Sequence, residues 1–443
     1  MTYPLSLKQK FLYSATSAGM NIISTTVSTW LLYFWAPPPD SGHPPYLDVA
    51  LIGWLLTGGR FWDAVITPIV GHLSDTIKTP WGRRRPFLMF ATPVMLISLI
   101  LLWIPPSASL GSTNAIYFFG VTIAFYTSFH LVGIPYDSSL PEMGGTASER
   151  VSLSMWKNIF GTLGVLIGAV IVAPLFTSVG ALGMSLVVAT LGLISVLLTL
   201  TVLRETPVRS LQPMTLRSSL RVTMRNGQFL RLCLSNLMVQ TGYAMLLANL
   251  PYFVTLVVAR STAAVSVFQG IVVIVMMVSA PFWNWLAHRY PHRRLLKAVT
   301  WGLAVTIGMN FFIGIFPRVD NTIAAAIALA SLAPFLGGYF ILIYAMMGSV
   351  VDDDELVTHQ RREAFHYGTF SLSTGIGMSL SSLIVPQIFK VYGYTATNPL
   401  GVRVVFLAAA AIVSCGALAL RGYHLGDSML VPGGSADEPT SQI

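Results

Sequence analysis

The stretch RFWDAVITPIVGHLSD, residues 60–75, places Arg60 and Asp63 inside an apolar run that begins near Leu47 and ends near Leu73. Whether that run is a membrane span decides the fold. Of the 443 residues, 54% are hydrophobic and only 10% are charged. Soluble domains carry about 25% charged residues, so the composition excludes a large soluble core and implies a polytopic membrane protein. The two cysteines, Cys233 and Cys415, both lie in apolar runs, which excludes a disulfide framework. The start, MTYPLSLKQK, leads into a long run without a short apolar segment and small-residue cleavage site. It reads as the approach to a first span and not as a removed leader.

A bilayer core takes about 20 apolar residues per helix. Twelve runs qualify: 11–36, 47–73, 86–105, 114–140, 152–176, 180–203, 228–258, 264–288, 295–316, 322–351, 366–389 and 401–421. Alternating sides then separates the basic residues. One side takes Lys8, Lys10, Lys78, Arg83, Arg84, Arg85, Arg150 and the cluster from Arg204 to Arg231. It also takes Arg289, Arg293, Arg294, Lys297, Arg361, Arg362 and Arg421, and the other side only Arg260, Arg318, Lys390 and Arg403. By the positive-inside rule both termini are expected in the cytoplasm. The net charge of +9 is therefore assigned to orientation and not to nucleic-acid binding. The expected organisation is a six-helix bundle over 1–203, a basic cytoplasmic linker over 204–227 and a second six-helix bundle over 228–421. The tail 422–443, rich in Gly, Pro, Ser and acids, is expected to be disordered.

The loops repeat six spans apart. GHLSDTIKTPWGRRRPF follows span two and NWLAHRYPHRRLL follows span eight; LPEMGGTASER follows span four and VVDDDELVTHQRRE follows span ten. Any one such loop is basic by orientation alone, but two pairs in register argue for two related halves. Parallel repeats of this kind characterise the major facilitator fold, with the substrate site between the halves near the midplane. The first loop resembles that fold's Gly-x-Leu-x-Asp motif followed by arginines, through Gly71, Leu73, Asp75, Arg83 and Arg84. The second copy is degenerate, with His288 where the acid would fall.

RFWDAVITPIVGHLSDTIKTPWGRRRPF, IPYDSSLPEMGGTASER and MMGSVVDDDELVTHQRREAFHYGTFS together resemble the glycoside–pentoside–hexuronide:cation symporters, the family of melibiose permease. The vertebrate lysophosphatidylcholine transporter is a cousin of that family. The resemblance implies import of sugars with Na⁺, Li⁺ or H⁺ and no other cofactor. Its site residues carry over only in part. Trp62, Asp63, Ala64 and Pro68 match, but Thr67 stands where a second span-two carboxylate belongs. The family's sugar-binding acids fall on Asn21 and Gly133, its span-eleven Lys on Gly375, a hydroxyl cation ligand on His130, and its span-five Arg on Asn158. These losses are mutually consistent, because an unpaired charge in a bundle core costs at least about 2.5–3.5 kcal/mol. They imply a related scaffold with a changed substrate or coupling ion.

Arg60 and Asp63 are three apart and so are neighbours on one helical face. The plain expectation is an ion pair that keeps Asp63 ionised. The functional one is that Asp63 binds the coupling ion while Arg60 tunes it, since intramembrane carboxylates mark ion pathways. His130 is either a packing residue or a second ion ligand, and one carboxylate with one imidazole suits a proton better than Na⁺. The coupling-ion candidates are thus Asp63, Arg60, His130 and Thr67, with H⁺ expected before Na⁺. Candidate substrate residues are Asn21, Tyr136, Trp156, Lys157, Asn158, Gln240 and Tyr243. Lys157 has the plainer alternative of snorkelling to the interface. Asn236, Gln240 and Tyr243 have that of gluing membrane helices together. Asp75, Arg83, Arg84, Asp137, Asp354, Arg361 and Arg362 are gate candidates; the acidic run 352–355 does not converge as a metal site would.

The chain is expected to be an all-α membrane protein of twelve transmembrane helices. It is expected to act as a monomeric, multi-pass secondary transporter of the cell (inner) membrane, without cofactor or metal. The expected solute is uncharged or zwitterionic, with a sugar or glycoside first. A lysophospholipid or other amphiphile is the alternative, disfavoured by Gly375 because the lipid-transporting cousin also carries the span-eleven Lys. A non-transporting receptor or scaffold is the alternative of another class. No nucleophile–base pair or metal cluster favours an enzyme.

Overall fold

In the computed structural model the described residues are 5–42, 44–77, 79–143, 147–203, 226–316, 320–358 and 363–424. Helices dominate: α1 Leu7–Trp35, α2 Val49–Thr76, α3 Arg85–Leu101 and α4 Ser112–Met143. A single helical run, Ala147–Val202, breaks at Gly180, whose φ of 72° lies in the left-handed region that glycine adopts without penalty. The two arms are α5, 147–179, and α6, 181–202. Then come α7 Gly227–Tyr252, α8 Val265–Ala287, α9 His292–Met309, α10 Asn321–Thr358, α11 Glu363–Tyr392 and α12 Leu400–Ala419. These twelve helices coincide with the twelve apolar runs.

Local chemistry sets the ends. Ser6 and Gln9 form a capping box at α1, Asp48 accepts from the N–H groups of Ala50 and Leu51 at α2, and Asn226 does the same for α7. Each satisfies backbone donors left over at a helix start. Not every span is apolar enough to be recognised by hydropathy alone. Among the described residues eight runs are, the run Ser152–Val202 spanning α5 and α6 counting once; α3 is apolar but shorter, and α1 and α7 are not apolar enough. Both are polar because they are wrapped by other helices; most of α1 is buried, including Ser14, Thr16 and Thr26. The outward faces are the reverse. Phe61, Ile116 and Val278 are about 70% exposed in the isolated chain, as lipid-facing side chains must be.

Helices α1–α6 pack on one another and α7–α12 do likewise, while α2 meets α11, α1 meets α7 and α5 meets α8 across the divide. Close approach of α1 and α5 depends on Gly164, where a Cβ would stand 2.3 Å from the Ala18 carbonyl oxygen. Small residues at such crossings let membrane helices touch backbone to backbone. The cross-divide hydrogen bonds described here lie away from the end that carries Lys10 and Arg83–Arg85, called here the basic end. The Tyr252 hydroxyl donates to the Ala36 carbonyl (2.7 Å), Gln387 to that of Ala50 (3.3 Å), and the Ala396 N–H to Asp40 (2.6 Å). A π-turn over Phe253–Val257, just beyond Pro251, ends α7 where Tyr252 makes its contact. From this clasp a cavity runs between the halves toward the basic end.

Candidate functional site

The cavity encloses about 460 Å³ and is lined from α1, α2, α4, α5 and α11. Ser17, Asn21, Ser24 and Ser28 of α1 follow one another at spacings of four, three and four, so they form one polar stripe facing it. Ser371, Thr374 and Gly375 of α11 face them from the other half, and a Cβ at Gly375 would meet nothing within 4 Å. The family positions Asn21, Thr67, His130, Gly133 and Gly375 therefore share one cavity.

Its charges sit at two levels. Asp63 of α2 meets His130 of α4, with Asp63 Oδ1 and His130 Nε2 in direct contact. The side chains are 14% and 21% exposed, enough for water to reach them from the cavity. Seven residues along α4, about 10 Å at 1.5 Å per residue, Asp137 accepts from Lys157 Nζ of α5 at 2.6 Å. Asp137 is 64% exposed, so the cavity meets solvent at this level. The Lys157 ammonium also lies 5.2 Å from the centre of the Tyr136 ring, whose hydroxyl donates to the Tyr13 carbonyl.

The expected pairing of Arg60 with Asp63 is not formed. Arg60 turns to Ser28 Oγ (3.3 Å) and Met378 Sδ (3.8 Å), with its guanidinium 4.8 Å from the centre of the Tyr126 ring. The i,i+3 spacing permits an ion pair but does not compel one, because α4 presents a closer partner to the carboxylate. Thr67 lines the cavity, yet its hydroxyl donates to the Asp63 backbone carbonyl at 2.7 Å and not to the carboxylate.

Other expected substrate residues also turn away. Trp156 packs edge-on against Phe11 at 4.4 Å between ring centres, and Asn158 is exposed; neither lines the cavity. They flank Lys157, and a helix turns 100° per residue, so one of three neighbours faces inward. Gln240 and Tyr243 do not line it either. Gln240 is buried beside Gly377 of α11, and Tyr243 packs on Phe340. Asn236 donates to Ser373 and Thr374 at 2.8 and 2.9 Å, so polar glue is the observed role of this face of α7.

At the basic end, Arg83 and Arg84 converge on Glu142 of α4 at 2.6 and 2.8 Å. Glu142 belongs to the LPEMGGTASER loop but was not among the gate candidates; its side chain is only 4% exposed. The Asp75 side chain, Arg361 and Arg362 lie outside the described residues. Asp354 faces the buried His366 of α11 at 3.9 Å.

The pattern characteristic of the MFS/sugar transport protein family matches residues 12–421. The chain belongs to that family. An isoprimeverose transporter of Lactiplantibacillus pentosus is 25% identical over 404 residues, covering 88% of this chain and 81% of the relative. The sodium-dependent lysophosphatidylcholine symporter 1 of Gallus gallus is 22% identical, covering 76% of this chain and 71% of that one. Among solved structures, the nucleoside transporter NupG superposes with a TM-score of 0.68 at 18% identity, covering 94% of this chain and 98% of its own. That likeness shows the major facilitator fold. Family membership makes this chain an integral multi-pass membrane transporter and not an enzyme, in agreement with the sequence.

Proposed function

We propose that the protein is a proton-coupled symporter that moves a sugar- or glycoside-like solute by alternating access. The observation that carries this reading is the Asp63–His130 pair in the wall of a cavity between the halves. A carboxylate and an imidazole in contact exchange one proton with the water that reaches them. Na⁺ prefers several oxygen ligands, whereas here the second carboxylate of the span is replaced by Thr67, whose hydroxyl is committed to backbone. The serine stripe of α1 and the hydroxyls of α11 supply neutral donors and acceptors for a polyol. A volume of about 460 Å³ suits a small solute. The lysophosphatidylcholine symporter among the relatives favours an amphiphile as the second reading.

The places where the halves touch support alternating access. The clasp of Tyr252, Gln387 and Asp40 holds one end shut while the cavity reaches solvent at the other. With the basic end in the cytoplasm, this is an inward-open state of a monomer in the inner membrane. A cysteine placed at Pro44, in a background lacking Cys233 and Cys415, is expected to react with an impermeant reagent in intact cells. One placed in the 204–227 loop is expected to react only after permeabilisation. The reverse pattern overturns the orientation.

The functional test is uptake into proteoliposomes by a panel of sugars, glycosides and lysolipids. An inwardly directed pH gradient is expected to drive uptake of a sugar-like compound, and a Na⁺ gradient at equal pH to add less than twofold. Strong Na⁺ stimulation of a galactoside would overturn proton coupling; uptake of lysolipid alone would favour the second reading.

A further inference from the structure

A second cavity, of about 680 Å³, forms a cup at the shut end, and none of its lining residues lines the central cavity. One wall belongs to the first half: Tyr33 and Phe34 end α1, Tyr46 lies in the loop that follows, and Phe176 comes from α5. Phe34 stands 5.4 Å from Tyr46 and 6.4 Å from Phe176, ring centre to ring centre, so the wall is aromatic throughout. Tyr33 also packs on Tyr252 of the clasp, at 5.0 Å. The facing wall belongs to the second half and includes Thr255 of the π-turn and Arg260 beyond it. Ala259 turns the chain there with a left-handed φ of 56°, and the Arg260 N–H donates back to the Val254 carbonyl at 3.0 Å. The position of Arg260 at the cup is thereby fixed by its own turn.

Among the described residues Arg260 is the one cation lining the cup and Asp40 the one acid. Asp40 already accepts from the Ala396 N–H at 2.6 Å. Arg260 Nε donates to Thr322 at 2.8 Å, and among the described residues no hydrogen bond or ion pair takes its two terminal nitrogens. Asp320 is within electrostatic reach of Arg260, but its carboxylate accepts from the N–H groups of Thr322 and Ile323. The cup thus joins an aromatic wall to a guanidinium edge that can still donate.

We propose that this cup is a second, non-transported ligand site that takes a small aryl carboxylate, and that its occupant holds the shut end closed. A flat ring packs offset or edge-on against the aromatic wall. A carboxylate matches the planar fork of arginine in a bidentate pair. An arylamine would find the one acid of the cup already engaged, and a neutral aryl compound would leave the guanidinium edge unmatched. The two walls belong to different halves and part when the shut end opens. A ligand that touches both therefore binds the shut state in preference and shifts the population toward it. This holding role rests on the alternating-access reading above; the binding itself does not.

The test titrates the thermal stability of purified full-length protein with naphthalene-2-carboxylate, naphthalene-2-carboxamide and 2-naphthylmethylamine, probes of similar shape and different charge. The carboxylate is expected to raise Tm saturably and to bind about tenfold more tightly than the other two, the worth of one charge-assisted hydrogen bond. Arg260→Gln is expected to remove that advantage and leave the carboxamide unchanged. Thr177→Trp, which fills the cup from an exposed position, is expected to abolish the response to the carboxylate. Arg260 is exposed too, so neither variant should disturb folding. Amine or carboxamide binding as tight as the carboxylate, carboxylate binding unchanged in either variant, or no response to the carboxylate each overturns the site. The holding role is read from spin labels at Leu110→Cys and Phe316→Cys, exposed positions of different halves away from the cup. The background lacks Cys233 and Cys415 and carries Tyr252→Phe, which removes the clasp bond to Ala36. Saturating carboxylate is expected to leave only the short distance of the shut end, and a longer one that persists overturns the holding role. Proton-driven solute uptake by a protein that ignores all three probes would leave the transport reading intact and sink this one. Binding that depends on Arg260, without uptake of any solute, would do the opposite.

Discussion

Asp63→Asn is expected to abolish accumulation driven by a pH gradient while leaving exchange at equal pH in place. One coupled proton and a gradient of one pH unit support about tenfold accumulation, since each factor of ten corresponds to about 1.4 kcal/mol. The variant should bring that ratio to one. Asn keeps the shape of the side chain and can still hydrogen-bond the His130 ring that contacts position 63, so the helices need not move. What is lost is the negative charge that lets the pair hold a proton as an internally neutral unit. Exchange needs only the halves to rock with solute bound, so it should survive. The measurement is labelled-solute uptake into proteoliposomes with and without an imposed gradient, beside counterflow at equal pH. If the variant concentrates solute as well as the parent, Asp63 is a structural partner of His130 and the proton is carried elsewhere.

Glu142→Gln is expected to produce the largest loss of stability. Glu142 is 4% exposed and accepts from both Arg83 and Arg84, the latter itself 6% exposed on its side chain. Removing the acid from a buried ionic cluster takes a charge partner from both arginines, and such losses run at about 3–5 kcal/mol. Arg83 is 26% exposed, so solvent shares the load and the low end, about 3 kcal/mol, is the better expectation. Arg83→Gln should cost about 1 kcal/mol or less, because Arg84 still answers the carboxylate. Thermal unfolding of the two variants in the same detergent separates these expectations. Equal, small losses would show that the Glu142 charge is not needed to hold α3 against α4.

The resemblance to a known family located the site better than it assigned its parts. Asn21, Thr67, His130, Gly133 and Gly375 were placed by family position, and all five line one cavity. The polar stripe of Ser17, Asn21, Ser24 and Ser28 was equally legible, because polar residues at helical spacing in an apolar span must face something other than lipid. Only Asn21 of the four was among the candidates, because a single serine can satisfy its hydroxyl on its own helix. Asn158, also placed by family position, does not line the cavity, and Trp156 shows the limit of reasoning by neighbourhood along the chain. One residue to either side of Lys157 is a rotation of 100°, which moves a side chain from the cavity to another surface. Glu142 shows a different limit. The motif directed attention to Asp75, at the start of the same loop, and gave no sign that an acid from the far end of α4 also meets its arginines.

Sequence alone determined the number, order and alternation of the spans. Lipid imposes its condition on each helix separately: about 20 residues, backbone bonds satisfied within the segment, and an apolar outer face. That condition is written in local composition, and the basic loops between spans add orientation to it. The partners of the charged groups were decided only by the tertiary structure. Asp63 has Arg60 within reach on its own helix and takes His130 of α4. Gln240 and Tyr243 have the right chemistry for a ligand and sit in helix packing. Which face of a helix meets the cavity depends on its rotation and its distance from every neighbour. Those are set by the packing of twelve helices at once, through contacts such as Gly164 against Ala18, and no local stretch of sequence contains them.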